Sequence, residues 1–415
     1  MKKIFLCCAL LAGLQTLHAQ SKQWKAMNDF VEKKADGFNV AYEKKDAKAY
    51  QALTDEFLAL YNPLSDKEKP EFKGTLSGIY YNFCCVHALL NHKAEAIECL
   101  KKAVNHGYND YNHVQEDTDL DNIRKEKDYQ DVNALLKNIG DMRCILKRGR
   151  AYNSSDARPL PAFSYQKSDD PNLVALRKKY NLDSIAGKDA PEVLKVLNLM
   201  RWVHNLIPHD GMHGLPDERN ALNMVAECTN QKKGLNCRGL ALLLNECYLA
   251  VGIKSRIVTC QPKDSLKVDF DCHVINAVYS VTLKKWLWID PTFNAFVMDE
   301  NGQLLSVEEV RDRLINDKPL ILNPDANWNN KTQQSKDEYL DFYMAKNLYI
   351  LECPANSAFN METPEQGKTY TSVQLLPLDY FSQSPDKEEV KRSNNNGIVT
   401  TFKTNNANKF WEHEF

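Results

Sequence analysis

Glycine and proline are scarce in this 415-residue chain, at 16 residues each, which excludes collagen-like and low-complexity architectures. Neither sign of charge is in excess: 53 Lys and Arg against 55 Asp and Glu leave a net charge of −2. That balance offers no electrostatic footprint for nucleic acid or an anionic membrane surface, so neither is expected as a partner. Long apolar runs are also missing, apart from one at the N-terminus, and the mean hydropathy is −0.51; a polytopic membrane protein is excluded. The 12 cysteines include no Cys-x-x-Cys pair, and the histidines stand at no zinc-ligand spacing from them. No metal and no cofactor is therefore expected. What remains is the composition of a globular protein, 43% hydrophobic and 26% charged. Its length accommodates two or three domains of about 150 residues.

The single apolar run reads as an address. Lys2 and Lys3 supply a positive start, Ile4 to Leu14 is an apolar stretch of 11 residues, and Ala19 precedes a cut before Gln20. The stretch is well short of the roughly 20 residues that span a bilayer. This is the layout of a secretory signal peptide over 1–19, and the mature protein is expected to be secreted or periplasmic, with no membrane attachment after cleavage. Cys7 and Cys8 come too early in the run, behind Phe5 and Leu6, for a lipoprotein signal. Cleavage leaves ten cysteines in 396 residues, too sparse for a disulfide scaffold, and most are expected as small core hydrophobes.

Residues 20–150 read as helical. Tyr81, Cys84, Cys85, Ala88 and Leu89, then Ala96, Cys99, Leu100 and Ala103, recur at threes and fours on either side of Asn91-His92-Lys93. That is the pattern of a helical hairpin whose small residues permit close approach. The stretch resembles a tetratricopeptide unit, with a more degenerate relative over Ala41 to Tyr61, and such a region implies a possible protein partner. Asp117-Thr118-Asp119-Leu120-Asp121 imitates a calcium loop, but Asn122 and Asp128 stand where Gly and Glu belong, so a solvated helix entry is expected instead. Residues 151–188, polar and with Pro159, Pro161 and Pro171, read as a connector. Asp189 is expected to open a capping box with Glu192, and Val193, Val196, Leu197, Met200, Val203 and Ile207 stripe the following helix. A second helix is expected over Glu218 to Thr229. A core is assigned to 189–345 and a β-rich extension of it to 346–415, with strands over Thr369 to Leu376 and Ile398 to Phe402.

The chemistry concentrates in 234–293. Gly234-Leu235-Asn236 are turn residues leading into Cys237-Arg238-Gly239-Leu240-Ala241 and an apolar helix. Cys237 thus falls at a helix N-terminus, where the backbone N–H groups favour a thiolate and can bind an oxyanion. Two strands follow, one with His273 near its start and one ending at Asp290 before Pro291; as an antiparallel hairpin they set His273 beside Asp290. Cys237, His273 and Asp290 are then nucleophile, general base and orienting carboxylate.

These segments resemble the core of the transglutaminase-like superfamily. The likeness rests on Gly234 to Leu244, Gly252 to Val258, His273 to Tyr279 and Trp286-Leu287-Trp288-Ile289-Asp290-Pro291-Thr292. Leu235 and Ile275 depart from the family, which often has Gly and Trp there. The resemblance implies an α+β, papain-like fold: a Cys helix packed on an antiparallel sheet, preceded here by the α-helical hairpin domain. It assigns the nucleophile, base and orienter to the same three residues. It further implies a cysteine-dependent amidase, peptidase or acyl transferase acting on a protein or peptide, with hydrolysis through a Cys237 thioester favoured over amine transfer. The alternative is a non-catalytic peptide-binding module on the same scaffold. The side-chain donor to the oxyanion stays open among Asn205, His209, His213 and Gln231.

Overall fold

The structure, a computed structural model, describes residues 21–263, 271–378, 387–391 (backbone only) and 398–412. The segment read as a signal peptide lies outside the described residues. The chain divides into two compact units, 1–141 and 142–415. The division precedes the expected boundary at 150 because Met142–Arg148 packs in the second unit, where Leu146 is buried.

In the first unit, α1 (Lys22–Glu43), α2 (Ala47–Tyr61), α3 (Lys69–Leu89), α4 (Lys93–Asn105), α5 (Tyr111–Glu116) and α6 (Lys127–Gly140) follow one another through short turns. Side-chain caps start three of them: Ser21, Asp46 and Asp110 accept from backbone N–H groups three residues on, satisfying donors a helix leaves free. The pair α3 and α4 forms around a turn at Asn91, whose φ of 61° suits asparagine. Cys84, Ala96, Leu100 and Ala103 are fully buried in the unit's core. Asp117 and Asp119 differ from the expected solvated entry: Tyr81 donates to Asp117 at 2.6 Å and Tyr42 donates to Asp119. Both carboxylates are thereby engaged by tyrosines of the helical core.

The second unit begins with α7 (Met142–Arg148), β1 (Ser164–Tyr165), α8 (Pro171–Lys179) and α9 (Leu182–Ala186). The last two correct the reading of 151–188 as a connector. Leu173, Leu176, Leu182 and Ala186 are buried in the core that holds the Cys237 helix, so the polar composition masked a helical apolar face. Next come α10 (Glu192–Leu206), α11 (Ala221–Gln231) and α12 (Cys237–Ala250), then β2 (Ser255–Gln261), β3 (His273–Ser280), β4 (Lys285–Ile289) and β5 (Val297–Met298). Glu192 does not make the expected capping box. Its carboxylate instead accepts from Ser280 Oγ (2.6 Å) and from the backbone N–H groups of Val281 and Thr282 (2.9 Å each), clasping the β3–β4 turn.

The remainder comprises α13 (Val307–Ile315), β6 (Ile321–Leu322), β7 (Asn327–Trp328), β8 (Thr332–Gln333), a π-helical segment Asp337–Met344 continuing into α14 (Ala345–Asn347), β9 (Ile350–Pro354), β10 (Asn356–Ser357), β11 (Thr369–Leu375), β12 (Lys387–Lys391), β13 (Ile398–Thr404) and α15 (Ala407–Trp411). Seven strands form one sheet in the order β12-β13-β11-β9-β2-β3-β4. Its pairs are antiparallel except β11 with β13.

Both faces of that sheet are covered. Ile257, Val274, Val278, Leu287 and Ile289 pack toward α8, α10, α11 and α12. Val258, Ile275, Ala277, Trp286 and Trp288 pack on the other side with Tyr339, Tyr349 and Phe410. Period-2 alternation thus divides one continuous apolar sequence between two cores, and neither face reads as polar. Helix α12 is the buried axis: Leu240 to Ala250 are all buried. It ends where Gly252 adopts φ +80°, a conformation glycine takes without cost.

Candidate active site

Cys237 is the first residue of α12, and Asn236 caps that helix by accepting the Gly239 N–H at 3.0 Å. The cap fixes where the helix starts, so the thiol stands at its positive end with backbone donors around it. A parallel bridge joins His209 to Leu235, with Asp210 N–H donating to Leu235 O (2.8 Å) and Leu235 N–H to Pro208 O (3.1 Å). Only glycine fits at 234 beside this bridge. A Cβ there would lie 2.4 Å from Pro208 O and 2.6 Å from Asp210 Cβ.

The β3–β4 hairpin supplies the other groups. Asn276 pairs with Ile289, so Ile275 would face Asp290, and His273 lies one diagonal step further on the same face. His273 Nε2 meets Asp290 Oδ2 at 2.7 Å, with both side chains buried. Asp290 is held on every side. Its Oδ2 also accepts from Tyr339 O–H (2.6 Å), and its Oδ1 accepts from the backbone N–H groups of Thr292 (2.8 Å) and Phe293 (3.4 Å). Phe293 and Tyr343 flank the imidazole at ring-centre distances of 5.4 and 5.3 Å. Tyr339 and Tyr343 both come from the π-helical segment.

With Nε2 turned to Asp290, His273 presents Nδ1 to Cys237. The electrostatics follow. Burial disfavours the Cys237 thiolate, but hydrogen bonds from His209 and His273, the charge on His273 and the Val274 N–H outweigh it, bringing the thiol from 9.0 to about 6. Burial likewise opposes charge on His273, yet the Asp290 carboxylate and the Cys237 thiolate raise it from 6.5 to about 10. Burial raises Asp290, and the His273 charge and hydrogen bonds from His273 and Tyr339 more than reverse that, leaving it lowered. Between these limits the stable form is a thiolate–imidazolium pair anchored by a carboxylate.

The structure brings Cys237, His273 and Asp290 together. Of the four oxyanion candidates it brings His209 to Cys237. Asn205 accepts from Asn330, His213 pairs with Asp210 at 2.6 Å, and Gln231 ends α11, exposed. Sequence reasoning did not reach Tyr339, Tyr343 or Phe293. Of these only Phe293 had a local signal, as the third residue past Asp290. No disulfide joins any of the ten cysteines among the described residues.

A helix-borne cysteine facing an imidazole–carboxylate pair on a strand hairpin is the arrangement of a cysteine-dependent enzyme. Residues 178–291, a stretch that holds His209, Cys237, His273 and Asp290, match the model of the transglutaminase-like superfamily. A solved structure from Cytophaga hutchinsonii, described as a proposed cysteine protease, is similar at 20% identity and a TM-score of 0.23. The match covers 32% of this chain and 40% of that one, so this chain spans about two fifths of its length. No curated protein matches.

Proposed function

We propose that the protein is an exported cysteine acyl-transfer enzyme that hydrolyses peptide or side-chain amide bonds of a protein or peptide substrate. The observation that carries this reading is the geometry: Cys237 at the capped N-terminus of α12, facing a buried His273 that is joined to a fully bonded Asp290 carboxylate at 2.7 Å. The thiolate attacks the substrate carbonyl carbon. Negative charge then develops on the carbonyl oxygen, where the Cys237 backbone N–H and the His209 Nε2–H stabilise it. His273 gives its Nδ1 proton to the departing amine as the tetrahedral adduct collapses to a thioester. Water follows: His273 takes its proton as it attacks, the acid leaves, and the thiolate returns paired with imidazolium. Amine transfer needs an acceptor that outcompetes water, whereas hydrolysis needs nothing more.

A binding module on the same scaffold would have no use for a thiolate–imidazolium pair; the free, acidified Cys237 thiol favours the enzyme. A mechanism-based thiol probe for peptidases, applied to the protein and to its Cys237→Ala variant, tests the reading. Labelling confined to the unsubstituted protein supports it, and equal labelling of both contradicts it. Export rests on the Met1–Ala19 pattern alone, and the first unit's helices are the proposed surface for a protein partner. N-terminal sequencing of protein recovered from outside the cytoplasm should begin at or near Gln20, and finding Met1 there would refute cleavage.

A further inference from the structure

The β7–β8 hairpin uses four consecutive side chains to hold the segment that carries His209. His204 meets Asn327 Oδ1 through Nε2 at 3.0 Å. Trp328 Nε1–H donates to His209 Nδ1 at 3.1 Å. Asn329 grips the main chain of His209 in both directions, accepting its N–H at 2.6 Å and donating to its carbonyl at 2.9 Å. Asn330 donates to Asn205 at 2.8 Å. The hairpin makes this possible by turning through Asn329 and Asn330, each at φ 55°, the left-handed conformation that asparagine tolerates. The same set of contacts reaches the opposite wall of the site, because His204 Nδ1 meets Pro291 O at 3.0 Å, one residue beyond Asp290.

We infer that this hairpin is a clamp that fixes the tautomer and aim of His209, with Trp328 as the positioning residue. The inference rests on the reading of Cys237 as the nucleophile and deepens it. An indole N–H can only donate, so His209 Nδ1 accepts from it, and the single proton of a neutral imidazole stands on Nε2. Nε2–H is then the group offered to Cys237: it donates to the thiolate at rest and to the developing oxyanion during attack. In the other tautomer a lone pair would face both of those negative charges. Trp328 therefore acts through His209, and Asn329 holds the backbone so that the ring keeps its aim.

The test is Trp328→Phe, which keeps an aromatic ring against His209 and removes the N–H. Two readouts apply. Nitrogen-15 shifts of the His209 ring should show Nε2–H in the native protein and an admixture of Nδ1–H in the variant. The pH limb for alkylation of Cys237 by iodoacetamide should move upward in the variant. On a peptide substrate, kcat should fall by about tenfold or more, with KM little changed, toward the roughly 10²- to 10³-fold loss seen when an oxyanion donor is deleted. A His209→Gln background supplies the control, because an amide has no tautomer to select: there Trp328→Phe should leave the alkylation limb in place. A native His209 protonated on Nδ1 would overturn the inference. So would an unmoved limb in Trp328→Phe, or the same movement in both backgrounds, which would make Trp328 merely structural. Failure of the underlying reading looks different: native Cys237 would then alkylate with the pH limb of an ordinary thiol, whatever the tautomer of His209.

Discussion

His273 and Asp290 are diagonal neighbours on one face of the β3–β4 pair, joined Nε2 to Oδ2 at 2.7 Å and both sealed from solvent. The rest of Asp290 decides what a substitution there does. Its Oδ1 faces two backbone N–H groups, so in Asp290→Asn the amide oxygen stays on that side and the NH₂ replaces Oδ2. An NH₂ facing Nε2 puts the proton of neutral His273 on Nδ1, the nitrogen that must be free to take the proton of the attacking water. Tyr339 O–H can turn to accept, so folding is little disturbed. We expect Asp290→Asn to keep its melting temperature and to lose kcat/KM by up to about 10⁴-fold, as in serine enzymes of this logic. A lowered melting temperature with normal turnover would reduce Asp290 to a strand-ending residue.

Tyr339→Phe should show the opposite balance. The hydroxyl donates to Asp290 and accepts from Trp288 Nε1–H at 3.2 Å, all of it buried. Its removal strands the indole donor and costs about 1–3 kcal/mol of stability. Asp290 keeps His273 and two backbone donors, so kcat/KM should fall far less than in Asp290→Asn. Chemical denaturation together with steady-state kinetics separates the two variants.

The C-terminal turn tests a different part of the fold. Arg256 is fully buried, its guanidinium 4.3 Å from the Phe163 ring centre, 4.5 Å from Trp286 and 5.2 Å from Trp411. Among the described residues only its Nη2 is bonded, to Phe410 O at 3.0 Å. Cation–π attraction offsets part of the cost of burying that charge. Trp411→Ala should therefore lose about 3–5 kcal/mol, as large aromatic deletions from a core do. Arg256→Met, which fills the same cage without a charge to desolvate, should lose much less. Thermal melts of the two variants give the order directly.

What the sequence made legible followed from local rules. A capped helix start at Asn236-Cys237, a β-branched run opening at His273 and a Pro that ends a strand after Asp290 are each readable within a few residues, and antiparallel pairing did the rest. The hidden parts depend on long-range contacts. Trp328 and Asn329 meet His209 across some 120 residues of chain, and Tyr339 meets Asp290 from a π-helical segment that periodicity cannot announce. The helices α8 and α9 were missed because prolines and charges on their exposed faces outweighed four buried positions. Glu192 looked like a capping residue because local spacing suggested it, and the β3–β4 turn claimed its carboxylate instead.

The central claim is that Cys237 and His273 form a thiolate–imidazolium pair at neutral pH. The Cys237 thiol is lowered to about 6 while His273 is raised to about 10, so the pair forms as pH rises through the first value and loses its proton through the second. The two steps belong to the pair jointly. Catalysis should rise through the lower limb and fall through the upper. Five other cysteines move the opposite way: burial pushes Cys84, Cys85 and Cys260 far up, and Cys99 and Cys272 to about 11. The most direct measurement is pH-resolved iodoacetamide labelling with peptide mass mapping of every cysteine, on the native protein and on His273→Asn. The account predicts that Cys237 labels first, with a limb near 6 that moves toward the ordinary thiol range in His273→Asn. A Cys237 limb near 9 in the native protein, unmoved by the loss of His273, would contradict it.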